Sequence, residues 1–150
     1  MTQSTAPLQP IVMEKTIAAS PEQVFKAWTN PDQITQWFRC GSTRMIKADI
    51  DLRIGGSYQF EMFNDEENKS ACLVNGIYTE IEQNKKLVFT WSNDVHAVKN
   101  TVVTVLLEPL ENATKIKLSH SGFMEDEQRD DHSMGWTGVT ESLVTYFQKK

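Results

Sequence analysis

Cysteine is scarce in this chain. Only Cys40 and Cys72 occur, far apart, with no Cys-x-x-Cys pair and no neighbouring histidine. That excludes a disulfide framework and the ligand spacing of a structural zinc site, so no metal is expected. Long apolar runs are missing too: nothing approaches the ~20 residues that a membrane-spanning helix needs. Dense basic runs are absent, and 15 Lys and Arg against 20 Asp and Glu leave a net charge of −5. A surface of that sign repels a phosphate backbone, which makes nucleic acid an unexpected partner. Residues 1–10 lack the charged start and apolar stretch of a secretory signal, so a cytoplasmic setting with reduced thiols is expected. No glycine-rich loop leads into a helix to hold a nucleotide phosphate, and no nucleophile elbow occurs; no cofactor is expected. The absence of a repeat of about 20–50 residues excludes a solenoid.

What is present is an ordinary globular balance, 39% hydrophobic and 23% charged in 150 residues. That suits one domain with one core. Residues 1–10 hold two prolines and no periodicity and read as a loose lead-in, with the domain spanning residues 11–150. Ile11 to Ala18 suggests a first strand, with Ile11, Met13 and the stem of Lys15 on one side and Val12 and Ile17 breaking the alternation. Ser20-Pro21-Glu22-Gln23 is a helix start: serine caps the free amides, proline suits the first position, and Gln23 completes a capping box. Val24, Phe25, Ala27 and Trp28 follow at helical spacing. Asn30-Pro31 interrupts them, and a second short helix is expected over Asp32 to Phe38.

From Thr43 to Gly122 the period falls to two, the signature of strands. Strands are expected over Arg44–Leu52, Ser57–Phe63, Ala71–Glu82, Lys86–Trp91, Asn100–Glu108 and Thr114–Ser121. Gly55-Gly56 reads as a tight hairpin turn. Gly76 marks a bulge or bend. The valine-rich Asn100–Glu108 is expected to be central and covered on much of both faces. After Gly122-Phe123, the acidic group Glu125-Asp126-Glu127 suits the positive end of a helix dipole. A helix of some twenty residues follows, with Trp136, Val139, Thr140, Leu143 and Phe147 on one face and Lys149 and Lys150 closing it.

That order implies an α+β fold: about six to seven antiparallel strands curve around a long C-terminal helix, with two short helices after the first strand. A helix buries a narrow stripe while a curved sheet offers a broad concave face, so a cavity between them is expected. The residues also resemble a family. Ser20 to Trp28, Gln36-Trp37-Phe38, Asp51 to Tyr58, Thr90-Trp91, Ser119 to Phe123, and Gly135-Trp136 with Leu143 downstream resemble the START-like helix-grip superfamily. That superfamily includes START domains, birch-pollen-allergen-like proteins and polyketide cyclases. Within it the resemblance is to the branch related to the activator of heat-shock protein 90 ATPase. It implies the helix-grip fold and three functions: a hydrophobic-ligand or lipid carrier, a chaperone-interacting or stress-response protein, or a cyclase-like enzyme.

Candidate residues follow from the concave face. Trp37, Phe38, Tyr58, Phe60, Met62, Tyr78, Phe89, Trp91, His120, Phe123, Trp136, Leu143 and Phe147 are expected to line the cavity and to take a hydrophobic or aromatic small molecule. His120, alternating inward with Ile116 and Leu118, reads either as a buried histidine bonded to a backbone group or to Tyr78, or as a catalytic general base. Asp130-Asp131-His132 reads as a solvated helical face, because adjacent helical residues diverge by about 100°. His96 sits in a polar loop, Arg53 is expected to pair with Asp51 or another carboxylate, and Cys72 reads as inert. The acidic surface from Glu125 to Asp131 is the candidate contact for a chaperone, and a homodimer is a further candidate assembly.

Overall fold

The computed structural model describes residues 8–95 and 98–148. Residues 1–7, His96, Ala97, Lys149 and Lys150 lie outside them. The order is β1 (Ile11–Ile17), α1 (Pro21–Thr29), α2 (Pro31–Trp37), β2 (Arg39–Cys40), β3 (Thr43–Ile50), β4 (Ser57–Asn64), β5 (Lys69–Glu82), β6 (Lys86–Asn93), β7 (Val98–Leu110), β8 (Ala113–Ser121) and α3 (Asp126–Gln148). The eight strands form one antiparallel sheet in the order β1-β8-β7-β6-β5-β4-β3-β2. It is an α+β helix-grip fold, with the sheet curled around α3.

Local chemistry explains the elements. The Ser20 hydroxyl accepts from the Gln23 amide at 3.2 Å while the Gln23 side chain accepts from the Ser20 amide at 3.0 Å, the reciprocal capping box. Asn30 closes α1 and, through its side-chain oxygen, caps α2. Strand β1 alternates cleanly, with Ile11 and Ile17 both buried and Val12 exposed. Ile17 therefore continues the inward set rather than breaking it.

Ladder irregularities supply the curl. Register shifts occur between β3 and β4 at Met45/Lys47, between β4 and β5 at Met62/Phe63, between β5 and β6 at Tyr78/Glu80, and between β6 and β7 at Trp91/Asn93. Each extra residue bends its strand and increases the local twist. The β7–β8 and β1–β8 ladders run without a shift. Near Gly76 the β5–β6 ladder skips from Asn75↔Ser92 to Tyr78↔Phe89. There a side chain at Gly76 would meet the Thr90 carbonyl oxygen at 2.0 Å. Tyr58, opposite Gly76, takes that carbonyl with its hydroxyl, and the Ile77 amide donates instead to the Thr90 hydroxyl at 2.9 Å. Glycine is what the close approach of the two backbones requires.

Two expectations need correction. Gly55-Gly56 is not a two-residue hairpin: residues 51–56 form the β3–β4 connection, and only Gly55 has positive φ, at 85°. Gly56 is there for space, since a Cβ would sit 2.1 Å from the Asp51 carbonyl oxygen. Strand β7 is covered on one face only. Val103, Val105 and Leu107 are buried, but Leu106 is 39% exposed because no helix lies on the convex side.

Candidate functional site

The concave face divides into a packed part and an open part. Tyr58, Phe60, Tyr78 and Phe89 form one aromatic cluster, with ring centroids 4.6 Å apart for Tyr58–Phe60 and 5.4 Å for Tyr58–Phe89. Burial pushes both tyrosine hydroxyls well above their ordinary range, with Tyr78 adding to the shift at Tyr58. These phenols stay neutral. Trp37 is held by its indole N–H donating to the Ala27 carbonyl at 3.0 Å and stacks edgewise on Trp28. Leu143 is fully buried, and Phe147 lies beside Tyr146 near the end of α3.

Beside this core a cavity of about 310 Å³ opens under the N-terminal half of α3. Of the residues expected to line it, Phe38, Met62, Trp91 and Trp136 do so. Trp37, Tyr58, Phe60, Tyr78, Phe89, His120, Phe123, Leu143 and Phe147 are buried in the surrounding core and are not part of its wall. Val74 and Val139 add apolar surface, while Cys40, Cys72 and Met134 add sulfur. Thr43, Asn93, Asp131 and His132 bring polar groups, and Gly135 contributes bare backbone. Asn93 donates to the Cys72 sulfur at 3.7 Å. Burial, with Asp94 adding to it, pushes the Cys72 thiol up against the lowering effect of that bond. A protonated thiol in this place is a weak nucleophile. The Trp91 indole N–H is buried and has no hydrogen-bond partner among the described residues.

His132 corrects the sequence reading. It is 8% exposed, donates from Nδ1–H to the Gln128 carbonyl at 2.8 Å, and turns its ring toward His120 and Phe123. Asp131 stays exposed. The signal was present: the inward stripe of Trp136, Val139, Thr140, Leu143 and Phe147 extends back by four residues to position 132. Cys72 was also legible, because it shares the parity of Val74 and Tyr78 on β5. Nothing comparable marks Cys40 or Gly135. Arg53 pairs with Asp51 at 2.9 Å as expected.

His120 is completely buried behind this wall, and its partners are not Tyr78. The Trp136 indole N–H donates to Nδ1 at 2.9 Å, and the Thr101 hydroxyl lies 2.7 Å from Nε2. An indole can only donate, so Nδ1 accepts and the ring proton sits on Nε2. The Thr101 oxygen accepts that proton and passes its own hydrogen to the Trp91 carbonyl at 2.7 Å. Burial, then the neighbouring His132, pulls the His120 pKa down to about 2. A neutral imidazole with both nitrogens engaged ties β6, β7, β8 and α3 together and has no lone pair or proton free for a substrate. The described residues include no group of three or more His, Cys, Asp or Glu side chains placed to hold a metal, and no helix long and apolar enough to cross a membrane.

The family model for the activator of Hsp90 ATPase homolog 1-like protein matches residues 18–148. The chain belongs to that family. Solved structures agree on the fold. Protein CV1439 from Chromobacterium violaceum superposes with a TM-score of 0.83 at 20% identity, covering 92% of this chain and 96% of its own. The AHSA1-like protein from Aeromonas hydrophila gives 0.79 at 20% identity, with 94% and 93% covered. The protein described as an Aha1 dimer from Colwellia psychrerythraea gives 0.73 at 19% identity, with 93% and 96% covered. No curated protein matches the chain. For a member of the activator of Hsp90 ATPase homolog 1-like family, the site therefore reduces to a largely apolar cavity under α3, rimmed by a few polar side chains.

Proposed function

We propose that this domain binds a small, mainly apolar molecule carrying one hydrogen-bonding group, in the cavity between the sheet and α3. The observation that carries the reading is an opening of about 310 Å³ beside an otherwise close-packed core. Protein interiors normally close such spaces, because a void forfeits dispersion contacts. Phe38, Met62, Val74, Trp136 and Val139 offer apolar contact, and Asn93 and His132 offer orienting polar atoms. Burying ~300 Å² of apolar ligand surface is worth roughly 7 kcal/mol before association costs, so the apolar contact alone supports binding weaker than micromolar. The volume lies at the lower end of ligand pockets, which suits a one- or two-ring molecule rather than a full lipid.

Thermal unfolding with increasing 2-naphthol or 1-octanol tests this. The midpoint is expected to rise with ligand concentration. Backbone amide shifts should move at Val74, Asn93 and Val139. Val139→Phe, which fills the cavity from α3, should remove the midpoint shift. Amide shifts clustered on the convex face instead would refute the assignment.

A second reading has support from the family description: contact with an Hsp90-type chaperone through the acidic, exposed start of α3, Glu125 to Asp131. Chaperone ATPase rates measured with and without stoichiometric domain separate the two. An unchanged rate removes this reading. Catalysis by His120 lacks comparable support, since Trp136 and Thr101 occupy both ring nitrogens.

A further inference from the structure

Helix α3 holds two glycines in its interior, Gly135 and Gly138. Glycine at such a position weakens a helix relative to alanine, through lost backbone entropy. Each therefore calls for a physical reason, and the two reasons differ. At Gly138 a Cβ would sit 2.7 Å from the Cys40 sulfur, 3.0 Å from its Cβ and 3.1 Å from its Cα. The helix rests directly on strand β2 there, so packing demands glycine. At Gly135 a Cβ would meet no heavy atom within 4 Å, and its φ is not in the left-handed region. Neither packing nor conformation demands glycine there.

Gly135 nevertheless belongs to the cavity wall. At 100° per residue it lies within about 60° of Val139 and His132, which line the cavity as well. A side chain at this position would take up space in the cavity. Around it stand the rings of Phe38, Trp91 and Trp136. Four of the chain's eight sulfur-bearing side chains, Cys40, Met62, Cys72 and Met134, also line this one cavity. Thioether and thiol sulfur contacts favour the edges and faces of aromatic rings, and ring–ring contacts add a geometric preference that a flexible alkyl chain cannot match.

We infer that Gly135 is the specificity-determining residue of the cavity, leaving the slot in which a planar aromatic ligand lies edge-on against the α3 backbone. This rests on the reading that the cavity is a binding site.

The test measures dissociation constants for 2-naphthol and 1-octanol, together with thermal midpoints, in the wild type, Gly135→Ala, Gly135→Leu and Gly138→Ala. The wild type should bind 2-naphthol at least tenfold more tightly than 1-octanol. Gly135→Ala should weaken 2-naphthol at least threefold while holding or raising the midpoint, and Gly135→Leu should weaken it at least tenfold. Gly138→Ala should lower the midpoint. Unchanged 2-naphthol affinity in Gly135→Ala overturns the inference, whether or not the leucine variant folds. A Gly135→Ala midpoint that falls as far as that of Gly138→Ala overturns it too, by making Gly135 a packing glycine. If the wild type prefers 1-octanol, the cavity reading stands and the aromatic slot fails. Binding of neither probe removes both.

Discussion

Acidifying the protein should reveal His120. The unfolded chain takes up a proton at this side chain near pH 6.5, whereas the folded protein holds it neutral down to about 2. Below the unfolded value the unfolded state therefore binds more protons, and stability falls as pH falls. The contribution is fully present about a unit above pH 6.5. It declines by roughly 1.4 kcal/mol per pH unit until the folded value is reached. Relative to about pH 7.5, the loss from this one residue is about 1.4 kcal/mol at pH 5.5 and about 2.7 kcal/mol at pH 4.5. The groups facing it are His132, 5.5 Å away between ring centroids, and Trp91, Phe123, Trp136 and Thr101, none of which supplies a negative charge to hold an imidazolium. Urea unfolding of the wild type and of His120→Gln across this range isolates the effect. Glutamine keeps one donor and one acceptor but does not titrate, so its stability should fall less steeply by the amounts given. Parallel curves for the two proteins would refute the argument. So would an imidazole carbon resonance of His120 that titrates in the folded protein near pH 6.

Other perturbations follow from single contacts. Ser20→Ala removes the hydroxyl half of the capping box and should lower unfolding stability by about 1 kcal/mol in urea melts, while Gln23→Ala should cost a smaller further amount because the residue-20 amide it caps is still present. Gly76→Ala forces a Cβ to within 2.0 Å of a backbone oxygen that cannot swing away; a loss of about 1–3 kcal/mol or more is expected by calorimetry, with the Thr90 amide environment perturbed. Trp136→Phe leaves the Nδ1 lone pair of His120 buried without a donor and should cost about 1–3 kcal/mol beyond the effect of the smaller ring. Arg44→Ala breaks a 2.9 Å ion pair with Asp65 that is largely in water, and should change stability by less than about 1 kcal/mol.

Much of the architecture was legible because it rests on local rules. The cap at Ser20, the prolines that begin α1 and α2, and the alternation of Tyr58, Phe60 and Met62 each follow from nearest neighbours in the chain. The site was less legible because it depends on where the sheet and helix fail to meet. Tyr58, Phe89 and Trp91 carry the same inward signal, yet only Trp91 borders the cavity. Alternation reports which side of a strand a residue occupies, and nothing about whether another side chain already fills the space in front of it. His132 was obscured for a different reason. Two aspartates precede it and suggest water, although four residues separate it from Trp136 on the buried stripe. Gly135 entered through the family resemblance but gave no signal of its place in the cavity, since a glycine in a helix looks alike whether it yields to a neighbour or to empty space.

The position of the cavity follows from how α3 is suspended. Its backbone comes close to β1 and β2, the two edges of the sheet, and to α2, while the middle strands bow away from it. Contact with both edges is possible because register shifts in four successive ladders curl the sheet from β3 through β7. Side chains must then bridge the gap under the middle of the helix. Toward β8 and β7 they succeed, through the chain from Trp136 to His120 to Thr101 to the Trp91 carbonyl. Toward β4 and β5 the sheet offers Met62, Cys72 and Val74, and the helix answers with Val139 and Gly135. Those side chains are too short to meet. A polar network that holds one flank of the helix at a fixed height thus maintains an opening on the other, and loosening that network should let α3 settle onto β5 and shrink the cavity.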